Sequence, residues 1–416
     1  MNISVMANGI VDFIHPGRGE RYIREAGFEA VALALDGMVA ERKPFIAGAS
    51  FPAPVVIAPS VSYTPWITEP VTAEDVMRAG EILRSALSSP DGRVRGRVMG
   101  RCRLDPEKLR PKEVYPADEN GMTEIVKTGS IRGTGFFVTD TVDDGLISDL
   151  TDYFEGSGIR ILIINRTKYF SGRYVRGRFC EPGEVSRVIE RFGKDRLGFC
   201  FDTGEANLCG QDPAEMLRAL KDVTDAVIVR ENDGIHYDRY LPFSLNHALD
   251  WGAFFRGMRA IGFDGELIFD IASSMSGTPI PLHGDKVKEA YRMAEFFRWQ
   301  IDMDRSMAGY PKRVLFGAGN MCRSYMKDYG KDHPPMFTVD NDSRVWGSTI
   351  EGLEIKPPES LKELDQDTAI IVCITYYREV HEQLAGMGIK NPILDYNDQY
   401  PNKVVEGRRL EREWTE

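Results

Sequence analysis

The residues best suited to chemistry are carboxylates and cations that follow apolar runs in the second half of this 416-residue chain. They are Asp202, Glu205, Arg230, Glu231 and Asp270, with Lys168 and His236 in neighbouring loops. A carboxylate can remove a proton from a carbon beside a carbonyl, while a cation stabilises the enolate that forms. These residue types are candidates for an acid/base site in which cations stabilise negative charge.

The elements that must position these residues follow a βα rhythm, in which short runs rich in Val, Ile and Phe alternate with helical patterns. Predicted strands end near Met6, Leu35, Ala58, Thr139, Asn165, Asp202, Glu231 and Ile271. Eight such strands predict a (β/α)8 TIM barrel over residues 1–305, whose strand ends converge on one mouth. Predicted helices begin near Thr72, Glu181, Asp212 and Asp285.

The segment from Leu197 to Asp270 resembles the last third of a xylose-isomerase-like TIM barrel, the sugar phosphate isomerase/epimerase and endonuclease IV superfamily. The resemblance rests on Leu197-Gly-Phe-Cys-Phe-Asp-Thr-Gly-Glu205, Val227-Ile-Val-Arg-Glu-Asn-Asp-Gly234 and Ile261-Gly-Phe-Asp-Gly-Glu-Leu-Ile-Phe-Asp270. The resemblance implies a divalent metal that polarises a sugar carbonyl, and two glutamates that act as acid and base.

The usual ligands of that family are largely replaced in this chain. Ile164 stands at the strand-five glutamate, Glu205 at the histidine after strand six and Ile228 at the strand-seven histidine. Asp202 is retained, and Asp270 stands at the strand-eight glutamate. We therefore expect no zinc in the family's usual geometry.

Three interpretations of Asp202, Glu205 and Asp270 remain open. In the first, they are polar groups paired with Arg230, Arg239 or backbone amides. In the second, they form an altered carboxylate site that holds Mg²⁺ or Mn²⁺. In the third interpretation the chemistry needs no metal. Arg230, Lys168 or Arg239 then binds an anion or stabilises an enolate, with Glu205, Glu231 or Asp270 as base and the loop histidines His236 and His283 as candidate acid/base groups.

Two further cationic segments favour an anionic substrate. Asn165-Arg-Thr-Lys-Tyr169 has Arg173, Arg176 and Arg178 nearby, and the insertion at about 89–133 contains an arginine-rich strand or hairpin at 93–103. The insertion is interpreted either as an anion-binding lid or as a solvated loop or oligomer contact. The loop arginines are interpreted either as a substrate site or as surface ion pairs.

A second domain is predicted at about 311–400, followed by a tail at 401–416. Val314-Leu-Phe-Gly-Ala-Gly-Asn320 is a strand that leads through Gly317 and Gly319 into a helix, and the next strand ends in Asp340. This order is typical of a Rossmann-like nucleotide-binding module, in which glycine amides and Asn320 lie at the phosphates and the acid faces the ribose. Cys322 stands where the third fingerprint glycine is expected.

The run Val339–Pro358 is similar to the small Rossmann-like modules of bacterial sugar-modifying acyltransferases and glycosyltransferases. The resemblance implies a nucleotide-sugar site. NAD(P) binding and an interaction or dimerisation domain without nucleotide are the alternatives.

Composition restricts the class of protein. The net charge is −11, which disfavours binding to nucleic acid or to an anionic membrane, because both interactions reward an excess of Lys and Arg. No apolar run reaches the roughly 18 to 20 residues of a membrane helix. The N-terminus lacks the pattern of a signal peptide, and six scattered cysteines predict neither a zinc site nor a disulfide framework, so we expect a reducing cytoplasm.

These observations predict a sugar isomerase/epimerase-like enzyme that acts by proton transfer on a carbohydrate-derived, anionic substrate. The alternatives are a lyase or hydrolase on the same barrel, and a non-catalytic protein that binds a sugar or nucleotide sugar. A homo-oligomer is compatible with each of them.

Overall fold

The computed structural model describes residues 1–7, 10, 16–28, 30–34, 55–58, 97–98, 123–124, 135–139, 144–245 and 249–396. The predicted strand end at Leu35, the helix from Thr72, most of the 89–133 insertion and the 401–416 tail lie outside these residues. The chain divides into two compact units, one formed by Met1–Arg298 and the other beginning at Trp299.

The strands, in chain order, are β1 (Asn2–Met6), β2 (Val31–Ala34), β3 (Val55–Ala58), β4 (Arg97–Val98), β5 (Thr123–Glu124), β6 (Phe136–Thr139), β7 (Arg160–Ile164), β8 (Thr167–Phe170), β9 (Arg173–Arg176), β10 (Leu197–Asp202), β11 (Thr224–Val229), β12 (Glu266–Phe269), β13 (Arg313–Phe316), β14 (Thr338–Val339), β15 (Thr349–Ile350), β16 (Leu353–Lys356), β17 (Ala369–Val372) and β18 (Ile393–Asp395).

The helices are α1 (Pro16–Ala26), α2 (Asp144–Tyr153), α3 (Pro182–Phe192), α4 (Thr203–Leu208), α5 (Pro213–Ala219), α6 (Trp251–Ala260), α7 (Ala272–Ser276), α8 (His283–Ala308), α9 (Asn320–Asp328) and α10 (Tyr377–Gly386). Short 3-10 helices span Ile280–Leu282, Ser343–Val345 and Pro358–Glu363. Among the described residues, none of these helices has the length and apolar character that a membrane crossing requires.

The first unit is a closed parallel barrel in the order β1-β12-β11-β10-β7-β6-β3-β2, so the predicted α/β barrel is confirmed. Alternate residues of its strands face an apolar interior, because successive side chains of a strand point to opposite sides. The interior cluster contains Met6, Ala32, Val138, Leu162, Ile164, Cys200, Ala226, Ile228 and Ile268.

Capping residues set where the barrel's helices begin. The Asp212 side chain accepts hydrogen bonds from the amides of Ala214 and Glu215, and Pro213 occupies the first turn of α5. On the outer side of the strands, Trp251 and Phe254 of α6 pack against Phe297 of α8. The same Phe297 ring contacts Phe269 of β12 at a centroid separation of 5.3 Å. These contacts fix the last barrel strands, which position the candidate site.

Two short antiparallel pairs lie outside the barrel sheet. Strands β8 and β9 form a hairpin directly after β7, and β4 pairs with β5 inside the predicted insertion. The hairpin carries the cationic segment that the sequence places after the fifth barrel strand.

The second unit contains a mixed six-stranded sheet in the order β15-β16-β14-β13-β17-β18, of which only the β15–β16 pair is antiparallel. Alternating residues of β13 and β17 enter two different apolar clusters. Leu315 and Ile371 pack with α9 residues, whereas Phe316 and Val372 pack with Val380 and Leu384 of α10. Both faces of this sheet are therefore covered.

Candidate functional site

A layer of alternating charge follows the barrel interior at the carboxyl ends of four neighbouring strands. The charged layer, as we call it, consists of Arg166, Asp202, Arg230 and Asp270. Each of these follows an interior side chain by two residues, in the order Ile164, Cys200, Ile228 and Ile268. The strands that lead to it, β7, β10, β11 and β12, are adjacent in the barrel. Strand alternation thus places basic and acidic groups in turn around this part of the mouth.

Arg230 is the centre of the charged layer. Its Nε donates to Asp202 Oδ1 at 2.7 Å, and its Nη2 donates to Glu205 Oε1 at 3.0 Å. The side chains of these three residues are at most 2% exposed. Two sequence-predicted carboxylates are therefore brought together, and a guanidinium bonds to both.

Glu205 is held by an almost complete set of donors. Its Oε1 accepts from Arg166 Nη1 at 2.7 Å and from the Tyr237 hydroxyl at 2.6 Å. Its Oε2 accepts from the amide and the hydroxyl of Thr167 at 2.8 and 2.6 Å. Burial opposes ionisation, but Arg166 and Arg230 outweigh it and lower the pKa of Glu205 to about 2. Glu205 is thus a fixed anion and a weak base.

Asp202 combines a structural contact with a free oxygen. Its Oδ1 accepts from the amides of Gly204 and Glu205 and so caps helix α4. No described residue donates to its Oδ2. Burial raises the pKa of Asp202 even though Arg230 opposes the shift. Asp202 is therefore a better proton acceptor than Glu205.

Gly204 gives Arg230 the space that it occupies. A Cβ on Gly204 would lie 2.7 Å from Arg230 Nε and 2.9 Å from its Cγ. The guanidinium therefore lies directly against the first turn of α4. Its third nitrogen, Nη1, is buried and has no hydrogen-bond partner among the described residues.

An aromatic row leads from the hairpin to the charged layer. The Tyr237 ring covers Arg230, with 4.6 Å between the guanidinium carbon and the ring centroid. Tyr174 of β9 lies 5.7 Å from Tyr237, and Tyr169 of β8 lies 5.1 Å from Tyr174, both as centroid separations. Tyr169 is 63% exposed, so the row begins at the surface and ends at a buried cation.

Asp270 lies apart from the Arg230 cluster in its contacts. Its Oδ1 accepts from the Ala272 amide at 3.3 Å, and its Oδ2 lies 3.5 Å from Arg239 Nη1. Asp270 thus contacts a backbone amide and Arg239, two of the partners named in the interpretation that treats these carboxylates as paired polar groups.

Glu231 faces away from the mouth, contrary to its prediction as a base. It follows Arg230 directly, so alternation turns it outward, where Trp251 Nε1 donates to it at 3.2 Å and the Leu245 amide at 3.0 Å. Burial raises its pKa to about 7. Its environment is the core between strand and helix, so the strand geometry removes Glu231 from the candidate base residues.

The remaining predicted polar groups are peripheral. Lys168 is exposed on β8, and His236 is exposed with its Nδ1 2.7 Å from Asp233 Oδ2. His283 Nε2 lies 2.9 Å from the Thr278 carbonyl at the start of α8. The described contacts do not join any of the three to Asp202, Glu205 or Arg230.

The arrangement of Asp202 and Glu205 does not fit a divalent metal. The space between them holds the positive charge of Arg230, and Glu205 already accepts from several donors. A cation beside that guanidinium would be repelled. Within the described part of the chain, no three His, Cys, Asp or Glu residues are grouped to hold a metal. The interpretation that Asp202 and Glu205 together hold Mg²⁺ or Mn²⁺ therefore conflicts with these contacts.

In the second unit, Gly317 and Gly319 connect β13 to α9, which begins at Asn320. Gly317 has φ 113°, and a Cβ there would lie 2.4 Å from Ile374 Cγ2, so only glycine fits. Asp340 approaches this loop, and its Oδ2 accepts from the Ala318 amide at 2.8 Å. One amide of the predicted phosphate site is thus bonded to the predicted ribose ligand.

Sequence reasoning missed part of the network around Glu205. Arg166 and Thr167 were assigned to a cationic loop over the mouth, but the structure uses them to hold Glu205, and Tyr237 carried no sequence signal. The position of Arg166 two residues after Ile164 is a signal for inward orientation.

Comparisons with known proteins support the barrel assignment over part of the chain. The model of the family described as xylose isomerase-like TIM barrel matches residues 146–296, and one described as C2185-like, N-terminal, matches residues 309–393. A search of curated proteins found no match.

Several solved structures are distantly similar. A D-tagatose 3-epimerase-like protein is 13% identical, with 73% of this chain and 100% of that chain covered and a TM-score of 0.44. A D-allulose 3-epimerase from Methylomonas sp. is 14% identical, with 72% and 98% covered and a TM-score of 0.44. An L-ribulose 3-epimerase is 13% identical, with 74% and 97% covered and a TM-score of 0.44. The similarity to the xylose isomerase-like TIM barrel family thus rests on the match over residues 146–296.

Proposed function

We propose that the barrel is a sugar isomerase/epimerase-like enzyme that transfers a proton on a carbohydrate-derived, anionic substrate. In this proposal the Arg230 guanidinium supplies the electrostatic stabilisation for which the resemblance to xylose-isomerase-like barrels implies a metal. The observation that carries the proposal is the buried guanidinium, bonded to Asp202 and Glu205 and left with Nη1 unpartnered among the described residues.

The proposed reaction removes a proton from the carbon next to the substrate carbonyl. Asp202 Oδ2 accepts that proton, the C–H electron pair forms the enolate, and Arg230 Nη1 donates a hydrogen bond to the enolate oxygen. Return of a proton to the opposite face, or to the neighbouring carbon, gives the epimer or the isomer. Asp270 is the second acid of the charged layer and is the proposed donor for the opposite face.

Access to Arg230 requires a movement of Tyr237. The ring lies over the guanidinium, and the Tyr237 hydroxyl donates to Glu205 at 2.6 Å. A substrate that displaces this ring would meet Arg166 and Arg230, which favour a phosphate or carboxylate group. Sugar rings also stack on aromatic side chains, so the tyrosine row is the proposed approach to the mouth.

Solvent exchange tests the proposal without knowledge of the product. The full-length protein is incubated in D₂O with a panel of sugar phosphates and sugar acids, in parallel with and without EDTA, and carbon-bound deuterium is measured by NMR. We expect exchange on one class of substrate, which Asp202→Asn abolishes and the control Glu190→Gln, at an exposed position of α3, preserves. Exchange that EDTA abolishes, or that survives Asp202→Asn, would refute the role of the charged layer.

A second candidate is a non-catalytic sugar-binding protein. The low pKa of Glu205, about 2, and its saturated hydrogen bonds favour it, because they make this carboxylate a fixed anchor. The same experiment separates the two, since a binding protein gives line broadening of a sugar ligand without deuterium incorporation.

For the second unit we propose nucleotide binding at Gly317, Gly319, Asn320 and Asp340. Strands β14 and β16 lie on one side of β13 and β17 and β18 on the other, so the loop after β13 is at a switch point in the strand order, where ligands bind in open α/β sheets. A Cβ on Gly319 would meet nothing within 4 Å, which leaves room above the loop. Asp340 suits free ribose hydroxyls and repels a 2′-phosphate, so NAD⁺ or a nucleotide sugar is favoured over NADP⁺.

Isothermal titration of the full chain with NAD⁺, NADP⁺ and UDP-sugars tests this proposal. Binding of NAD⁺ or a UDP-sugar that is lost in Gly319→Val supports it. No detectable binding of any of these nucleotides would favour an interaction domain.

A further inference from the structure

Two buried cysteines far apart in sequence meet beside the candidate site. Cys180 follows strand β9, and Cys209 ends helix α4. Their sulfur atoms are 3.9 Å apart, and the side chains are 0% and 5% exposed. Both are free thiols.

The pair is reached through a cavity of about 210 Å³ on the hairpin side. Its lining residues are Arg173, Tyr174, Val175, Arg176 and Cys209. Cys209 lines this space, and the Cys180 sulfur lies 3.9 Å from the Cys209 sulfur. A small oxidant such as hydrogen peroxide has room in a cavity of this size, so the Cys209 side of the pair is accessible to it.

We propose that Cys180 and Cys209 form a peroxide-sensitive dithiol that closes to a disulfide. The Cys209 thiol donates to the Cys180 sulfur, and this hydrogen bond lowers the pKa of Cys180. Because its sulfur accepts this hydrogen bond, which favours the thiolate, Cys180 is the proposed nucleophile of the pair.

The oxidation balances with hydrogen peroxide as the oxidant. The Cys180 thiolate attacks one peroxide oxygen, the O–O bond breaks, and a sulfenic acid and hydroxide form. The Cys209 sulfur then attacks the Cys180 sulfur and the S–O bond breaks. The hydroxide that leaves takes the proton of the Cys209 thiol, and the first hydroxide takes the proton that Cys180 released. Two thiols and one peroxide thus give one disulfide and two waters. Small side-chain rotations close the 3.9 Å sulfur separation.

The disulfide would link two segments that hold Glu205. Cys180 Sγ donates to the Arg166 carbonyl at 3.2 Å, and Arg166 in turn binds Glu205. Cys209 caps the helix on which Glu205 lies. Oxidation removes the Cys180 thiol proton and ties the end of the hairpin segment to α4, which makes the candidate site sensitive to redox state.

Peptide mapping of the full-length protein tests the proposal. Reduced protein is treated with one equivalent of hydrogen peroxide, free thiols are alkylated under denaturing conditions, and peptides are analysed by mass spectrometry. We expect a linked Cys180–Cys209 peptide, a decrease from six free thiols to four, and recovery of all six after dithiothreitol. In Cys209→Ser, Cys180 should instead be trapped by dimedone as a sulfenic acid.

Cys322→Ala is the matched control, because Cys322 is a buried cysteine in the other unit, and the linked peptide should form in it unchanged. Wild-type protein in which both cysteines remain free while other cysteines oxidise would overturn the proposal. A dominant disulfide to a different cysteine would also overturn it. Because wild-type mapping decides alone, the test stands even if Cys209→Ser does not fold.

Discussion

Replacing Arg230 by methionine should destabilise the barrel in a pH-dependent way. The variant keeps an unbranched apolar stem but leaves Asp202 without the guanidinium that binds it at 2.7 Å. Glu205 retains Arg166 at 2.7 Å, so one buried carboxylate, rather than two, loses its bonded cation. Removal of one partner of a buried ion pair costs about 3–5 kcal/mol. Loss of the contact with the Tyr237 ring adds roughly 1 kcal/mol.

The direction of the pH dependence follows from Asp202. Burial already raises its pKa above 3.8, and Arg230 opposes that shift. Without Arg230 the folded-state pKa rises further above the unfolded value. The stability that protonated Asp202 contributes is then fully present below its unfolded-state pKa and is lost as the pH rises through its folded-state pKa. Arg230→Met should therefore be more destabilised at pH 8 than at pH 5.

Urea unfolding of the full chain, followed by far-UV circular dichroism at both pH values, measures this effect. The double variant Asp202→Asn/Arg230→Met should recover more than half of the loss at pH 8, because it removes the unpaired charge. Arg256→Met, at an exposed position on α6, is the matched control and should change stability by less than about 0.5 kcal/mol. A loss below about 1 kcal/mol for Arg230→Met, or a double variant no more stable than the single one, would refute the reasoning.

Three further predictions follow from individual contacts. Burial raises the pKa of Glu231 from 4.5 to about 7, so the stability that its protonated form contributes is present below the unfolded pKa and decreases by roughly 3 kcal/mol as the pH rises between these two values. Glu231→Gln should flatten this part of the stability–pH curve, measured by urea unfolding. An unchanged slope would show that the pKa of Glu231 is not raised. Gly204→Ala should lower the thermal unfolding midpoint, because the added Cβ would lie 2.7 Å from Arg230 Nε. Gly386→Ala is the control and should not lower it, because a Cβ there meets nothing within 4 Å. Equal midpoints for the two variants would show that Arg230 moves freely. Asp340→Asn weakens repulsion of a 2′-phosphate, so titration calorimetry should show NADP⁺ affinity rising relative to NAD⁺, and an unchanged ratio would place the ribose elsewhere.

The barrel was predictable because its strands are short apolar runs with clear turns between them. The entirely buried β10 ends at Asp202, where the sequence predicts the strand end, and Asp212 caps α5 as its position before Pro213 indicates. Strand ends were overestimated by one or two residues at β7, β11 and β12, where polar residues continue the extended run.

The candidate site was only partly predictable. Asp202, Glu205 and Arg230 converge because strand ends of a parallel barrel converge, which sequence alone indicates. Glu231 could have been excluded by counting alternate residues from Ile228. Tyr237 depends on a loop path that no periodicity specifies, since it reaches Glu205 across 32 residues of chain. The Cys180–Cys209 pair likewise depends on tertiary proximity across 29 residues.

The Arg230 guanidinium occupies the place between Asp202 and Glu205, where the resemblance to xylose-isomerase-like barrels implies a metal. Titration of the chelator-treated full-length protein with Mn²⁺, followed by the electron paramagnetic resonance signal of free Mn²⁺, tests it most directly. We expect no stoichiometric site at the mouth in wild-type protein, and no difference between wild type and Asp202→Asn. One equivalent of bound Mn²⁺ that Asp202→Asn abolishes would show that the mouth holds a metal despite Arg230.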